Sequence, residues 1–241
     1  MQSYSQYGED LILWDYFNGK QDGFFIEIGA NHPTALSNTW FFEQRGWRGI
    51  LIEPLPDRCR ELRKLRHRSQ IIEAALGGPE NRGTAALKVA AEHTLSGLVL
   101  KPDVECLGEI TVTLVTLDDV LSAAGNPRID FITIDVEGTE LDVMRGFALE
   151  QHRPRVLLVE DQWQSPGLHN HLCARGYRIV HRTGVNSWYI PSDSKEFPAT
   201  RFGAFKTRVH AGYTLLRRRI RSRWRSRFTD CSRAGHTRGS A

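Results

Sequence analysis

Several carboxylates in this 241-residue chain stand where short apolar runs stop. Glu27 lies near the end of Phe24-Phe25-Ile26-Glu27-Ile28, just ahead of Gly29. Glu53 closes Gly49-Ile50-Leu51-Ile52. Asp135 and Glu137 close the run that begins at Ile129, and Glu160 and Asp161 follow Arg155-Val156-Leu157-Leu158-Val159. Apolar runs of this length read as buried strands. In an open α/β sheet the carboxyl ends of the strands form the ligand crevice. An acid in that crevice can hold a positive charge, accept hydrogen bonds from sugar hydroxyls, or take a proton from a nucleophile. Glu27 precedes the turn Gly29-Ala30-Asn31-His32-Pro33, where it would repel a pyrophosphate. It suits a cationic cofactor such as S-adenosylmethionine, whose α-ammonium it could hold. Glu53, 24 residues after Gly29, can accept two hydrogen bonds from ribose hydroxyls. A dinucleotide site needs several glycines so that the backbone can approach a pyrophosphate. Only Gly29 is present, which disfavours an NAD-linked oxidoreductase.

The elements that must position these acids follow from the pattern. Strand 24–28, the Gly29 turn, a helix over Leu36–Gly46 and the strand ending at Glu53 form one β-α-β opening. Ser37 is the expected cap, Leu36 and Phe41 the hydrophobic staple, and Gly46 the stop. Residues 9–17 suit a short amphipathic helix, and 54–68 a second, with Pro56 in its first turn and Cys59, Leu62 and Leu65 on its apolar face. A third strand covers 70–77. Alternation over 85–89 and 111–115 predicts antiparallel strands flanking a loop with His93, Thr94, Leu95 and Ser96. Thr116 caps a short helix. The strand from Ile129 to Gly138 places Asp135 and Glu137 on one side by its period of two, and a helix over 140–145 follows. Segments 176–181 and 186–190 are too close for a helical crossover, so they pair antiparallel. The fold class is therefore α/β, a mostly parallel Rossmann-like sheet ending in an antiparallel hairpin, as in class I methyltransferases.

Composition is that of a soluble globular chain, 40% hydrophobic and 25% charged. Cys59, Cys106, Cys173 and Cys231 are scattered, with no zinc or disulfide spacing. The first ten residues lack a signal-peptide pattern and no apolar run reaches 18 residues, so a cytoplasmic protein is expected. Charge is uneven. Residues 201–241 carry 12 Lys/Arg and one Asp, a net of +11, which leaves −7 on residues 1–200. Two domains are expected: a catalytic unit over 1–200 and a basic, partly helical or disordered tail over 201–241.

Taken in order, Ser5-Gln6-Tyr7-Gly8-Glu9-Asp10, Phe25-Ile26-Glu27-Ile28-Gly29-Ala30-Asn31, Gly49-Ile50-Leu51-Ile52-Glu53-Pro54, Ala74-Ala75-Leu76-Gly77, Thr116-Leu117-Asp118-Asp119 and Ile134-Asp135-Val136-Glu137-Gly138 resemble the FkbM-type S-adenosylmethionine-dependent methyltransferases, over roughly residues 5–190. The resemblance implies methylation of a hydroxyl oxygen on a sugar or natural product, with S-adenosylmethionine as cofactor. It implies that Glu27, Gly29, Ala30 and Asn31 line the methionine end, Glu53 the ribose, and Ala74 and Ala75 the adenine. Pro33 stands where many members have a second glycine. Size and basic tail are also similar to sugar 2-O-methyltransferases acting on fucose of lipo-chitooligosaccharide nodulation signals.

An alcohol is a poor nucleophile at neutral pH, so a positioned base contributes roughly 10²–10⁴-fold. The candidates are Asp135, Glu137, His32 and Glu160, each of which could instead cap a helix or sit solvated in a turn. No third carboxylate or amide stands at clear ligand spacing, so no metal is expected. The expected partner is a glycan, glycolipid or other hydroxyl-bearing acceptor. In the tail, Tyr213, Leu216, Ile220, Trp224 and Phe228 recur every three or four residues among arginines, the pattern of an interfacial helix. Seven arginines at about 1 kcal/mol each would hold an anionic membrane surface reversibly; a nucleic-acid partner is a weaker reading. A non-catalytic, tail-driven binder is the competing class. In liposome flotation at physiological salt, the full chain should float with anionic vesicles and a chain ending at Thr200 should not. If both stay at the bottom of the gradient, the membrane reading fails.

Overall fold

A computed structural model of the chain describes residues 1–91, 93–100, 104–161, 165–194 and 197. The predicted tail lies outside them. The strands are β1 (Phe24–Ile28), β2 (Arg48–Glu53), β3 (Ser69–Glu73), β4 (Ala75–Leu76), β5 (Gly83–Ala90), β6 (Cys106–Val115), β7 (Phe131–Ile134), β8 (Val156–Glu160), β9 (Tyr177–Thr183) and β10 (Asn186–Pro191). Among the described residues, seven of them form a main sheet in the order β3-β2-β1-β7-β8-β10-β9. The first five are parallel, and β10 runs antiparallel between β8 and β9. This is the class I methyltransferase sheet that the sequence predicts. A second sheet, β4-β6-β5, stands apart, with β5 and β6 antiparallel as expected.

Strand alternation sorts the core into two layers. Ile26, Ile28, Ile50, Ile52, Ile132, Ile134, Leu157 and Val159 face one side, where they meet α4 (Leu117–Ala123), α5 (Glu140–Arg145), α6 (Leu149–His152) and α7 (Pro166–Ala174). Phe25, Leu51, Phe131, Val156 and Leu158 face the other, with α1 (Glu9–Tyr16), α2 (Trp40–Glu43) and α3 (Pro56–Leu65). Glu27, Glu53, Asp135 and Glu160 continue this second set of rows by the period of two. Order reverses beside β1, which pairs with β2 on one side and β7 on the other, and that reversal is where an open α/β sheet places its ligand.

Four boundaries differ from expectation. The helix predicted over 36–46 is only the single turn α2, and Glu27 holds the segment ahead of it. That carboxylate accepts from the Asn38 N–H (3.0 Å), the Thr39 hydroxyl (2.6 Å) and the Ser37 hydroxyl (3.1 Å). Ser37 still accepts from the Trp40 N–H at 3.1 Å, but Leu36 takes a left-handed φ of 60° and is 59% exposed, so no staple forms. The strand predicted over 70–77 splits at Ala74 between the two sheets. The strand from Ile129 is four residues long, and Glu137 (φ 55°) and Gly138 (φ 110°) turn the chain after it. Leu65, at the end of α3, is 49% exposed rather than on the apolar face; the next residue, Arg66, goes inside in its place. Among the described residues no helix is long and apolar enough to cross a membrane.

Arg66 is 1% exposed. Its guanidinium donates to Glu43 at 2.6 Å, to the Thr39 hydroxyl at 2.7 Å and to the Pro33 carbonyl at 3.2 Å, and it lies 3.6 Å from Glu27. Glu43 also accepts from the Ser69 hydroxyl (2.6 Å) and the Arg68 N–H (2.8 Å). Removing one partner of a buried ionic network strands the remaining charges and costs about 3–5 kcal/mol. Arg66→Met should therefore lower unfolding free energy by about that amount in urea titrations; a loss under about 1 kcal/mol would show that solvent reaches the pair.

Candidate active site

The carboxyl ends of β1, β2, β7 and β8 open on a cavity of about 620 Å³, within the range of small-molecule sites. Its geometry begins at Gly29. A Cβ there would fall 1.8 Å from the Asp135 carbonyl oxygen, and φ is 81°, so only glycine lets the β1 turn lie against the end of β7. The Gly29 and Ala30 N–H groups donate to the Ile52 carbonyl, and the Asp135 N–H donates to that of Ile28. Three strand ends are thereby locked side by side.

One half of the cavity is lined by Glu53, Pro54, Leu55, Ala74, Ala75 and Leu87. Glu53 is buried. One oxygen accepts the Asn31 N–H at 2.8 Å and the other the Leu55 N–H at 2.9 Å. Burial pushes its carboxyl above the usual range, and those two N–H bonds oppose the shift. Each oxygen keeps a further lone pair, a donor set that fits a vicinal diol. Buried Ala74 and Ala75 with Leu87 offer small apolar walls that fit a flat heterocycle. Asn31 holds the turn in a left-handed conformation (φ 46°).

Glu27 lines the cavity as well, but it has a duty that sequence did not reveal. Its oxygens accept from Ser37, Asn38 and Thr39 and face Arg66. A contact to an ammonium would have to share those oxygens, so the expectation of a carboxylate committed to the cofactor is revised. His32 is exposed at the cavity wall and accepts the Thr34 and Ala35 N–H groups on Nδ1, at 3.1 and 2.9 Å. In the neutral ring Nε2 then carries the proton, which makes His32 a donor rather than a base.

The other half is acidic. Asp135, Glu137 and Glu160 each present an oxygen within 4.8 Å of the others. Sequence showed no third carboxylate at ligand spacing; the fold brings Glu160 in from β8. Such a span could also seat a divalent ion. The Asp135 and Glu160 carboxyls lie close enough for each charge to disfavour the other. Asp135 is open to the cavity yet lies deep among protein atoms. Desolvation, then the charge of Glu160, then those of Glu137 and Glu140, push its carboxyl well above the usual range. Glu140 is raised by burial too, and accepts the Gly138 N–H at 2.9 Å. Asp135 and Glu137 do meet, though through the left-handed turn at Glu137 rather than strand alternation. Gln6, Tyr7 and Asn186 also line this half. Neither Gln6 and Tyr7 nor Arg66 was assigned a role from sequence; the first two stand in a quoted motif, and Arg66 is one of many charges in a charged helix.

The sheet order and the crevice define a class I methyltransferase. Residues 27–179 match the methyltransferase FkbM domain, and the chain belongs to that family; its cofactor is S-adenosylmethionine. No curated protein matches the chain. Similar solved structures include a methyltransferase from Geobacter sulfurreducens (12% identity, TM-score 0.40, covering 77% of this chain and 78% of that one). Others are the METTL16 methyltransferase domain (12%, 0.46, 78% and 67%) and a Burkholderia thailandensis 1,6-didemethyltoxoflavin-N1-methyltransferase with S-adenosylhomocysteine (11%, 0.40, 77% and 77%).

Hydrogen bonds to a charged acceptor are worth about 1.5–3 kcal/mol. Glu53→Ala should thus weaken S-adenosylmethionine binding roughly ten- to hundred-fold in calorimetry. Unchanged affinity in a folded variant would remove Glu53 from the cofactor site.

Proposed function

We propose that the protein methylates a hydroxyl oxygen of a sugar, on a glycan or glycolipid. The carboxyls of Asp135, Glu160 and Glu137, gathered at the acidic half of the cavity, carry this reading. Raised basicity makes Asp135 a better acceptor for an alcohol proton than an ordinary carboxylate. Arg58 is the one lysine or arginine lining the cavity among the described residues. It faces Glu53, which feels its charge. The acidic half thus repels phosphate or carboxylate acceptors and accepts hydrogen bonds from neutral hydroxyls. Reduction to a narrower acceptor, 2-O-methylation of a fucose on a lipo-chitooligosaccharide, rests on the resemblance in size and tail.

Bound S-adenosylmethionine supplies a sulfonium methyl already activated for transfer. Glu53, Asn31, Ala74 and Ala75 would hold its nucleoside, and Gly29 and Ala30 would line its amino-acid end. Asp135 would accept the acceptor's hydroxyl proton. Glu137 and Glu160 would orient the remaining hydroxyls and keep Asp135 basic. What these groups contribute is alignment and proton acceptance at one oxygen.

Mass spectrometry of glycans from cells with and without the protein should reveal an increment of one methyl group per sugar; identical glycan profiles would overturn the reading. Asp135→Asn keeps shape and removes charge, so turnover should fall at least ~10²-fold, with cofactor affinity much less affected. A base with a raised pKa must lose its proton before it works, so activity should rise with pH above the ordinary carboxylate value of 3.8. Glu160→Gln removes one charge that raises Asp135, and should move that rising limb to lower pH. An unmoved limb would separate Glu160 from the base.

A further inference from the structure

The N-terminal segment precedes the matched domain, which begins at residue 27, yet it is held far more firmly than a chain end requires. Asp10, fully buried, accepts from the Ser3 hydroxyl (2.6 Å), the Ser5 hydroxyl (2.9 Å) and the N–H groups of Tyr4 (2.7 Å) and Leu11 (2.9 Å). Glu9, also fully buried, accepts the Tyr7 N–H at 2.7 Å on one oxygen. Its other oxygen accepts from the Thr183 hydroxyl and the Asn186 amide, each at 2.8 Å. The two carboxylates pin residues 3–8 to the turn between β9 and β10. There the Tyr7 ring covers Gly184, where a Cβ would fall 2.3 Å from ring atoms.

This anchoring delivers Gln6 and Tyr7 to one end of the cavity. Asn186, which holds Glu9, is paired in register with Glu160. Tyr7 therefore stands at the β8–β10 end of the crevice, while Glu53 stands at the β2 end, with β1 and β7 between. Tyr7 is 44% exposed, the one aromatic left so open among the described residues. An aromatic face uncovered inside a ligand cavity, on a segment fixed by two buried acids, lacks a covering partner among the described residues.

We infer that Gln6 and Tyr7 are the acceptor platform, and that they select a neutral pyranoside. A pyranose ring has a face of C–H groups, which pack on the negative face of an aromatic ring. Its hydroxyls need both donors and acceptors, which the Gln6 amide provides, and the carboxylates beyond accept the rest. An anionic acceptor would be repelled by the charge gathered at Glu160, Glu137 and Asp135. This assignment rests on the sugar-directed reading above and adds the residues that recognise the ring.

Saturation-transfer NMR tests it on the full chain with S-adenosylhomocysteine and millimolar methyl glucoside, methyl galactoside and methyl fucoside. Saturation should reach ring C–H protons of at least one glycoside. Tyr7→Phe should hold the apparent Kd within about threefold, and Tyr7→Ala should raise it at least ~10-fold. Tyr7→Leu, which still covers Gly184 without a ring, should lose affinity like Tyr7→Ala. Calorimetric affinity for S-adenosylhomocysteine should stay within about twofold in all four proteins, which also certifies their folding. Equal glycoside affinity in wild type and a folded Tyr7→Ala or Tyr7→Leu protein overturns the platform and leaves the sugar-directed reading intact. Wild type that binds S-adenosylhomocysteine but none of the glycosides overturns both.

Discussion

The guanidinium of Arg66, buried between Glu27 and Glu43, is the interaction on which the arrangement of this crevice depends. Three ionised groups with almost no exposure would be prohibitively costly apart, since each loses its hydration. Together they are tolerable because Ser37, Thr39, Ser69 and two backbone N–H groups fill the remaining acceptor positions. The network joins the end of β1, the single turn of α2, the end of α3 and the start of β3. It therefore sets the path of residues 31–39, the loop that walls one side of the cavity.

A second constraint, the contact of Gly29 with the Asp135 carbonyl, brings the cofactor half and the acidic half within one cavity. The close approach is possible only without a side chain, and the ladder from β2 through β1 to β7 passes directly through it. One consequence is electrostatic. Asp135, Glu137 and Glu160 converge where the sheet order reverses, and desolvation together with their mutual repulsion pushes the Asp135 carboxyl up. Charge crowding that would only destabilise a surface here yields a carboxyl basic enough to meet an alcohol proton.

The N-terminal segment shows the same economy of means. Glu9 and Asp10 are buried acids satisfied by backbone N–H groups, hydroxyls and one amide. Such directional bonds specify a loop conformation more narrowly than an apolar contact would. The segment thereby behaves as part of the wall of the crevice rather than as a frayed end.

By itself the sequence determined the strands, their direction and the terminal hairpin, because periodicity and turn spacing are local properties carried by adjacent residues. It also marked Glu53, Asp135 and Glu160, since residues at strand ends reach the crevice in any open parallel sheet, while Ala74 and Ala75 came from the family resemblance. The tertiary structure alone decided what those residues face. The short α2 follows a segment that Glu27 grips at Ser37, Asn38 and Thr39, and a propensity pattern contains no trace of a partner 11 residues away. Arg66 looked like one more solvated charge because burial depends on partners from three separate elements. Glu160 joined Asp135 only when β8 was placed beside β7, which sequence spacing of 25 residues leaves open. Local order is written in near neighbours; charge pairing is a property of distances in space, and those exist only once the sheet has formed.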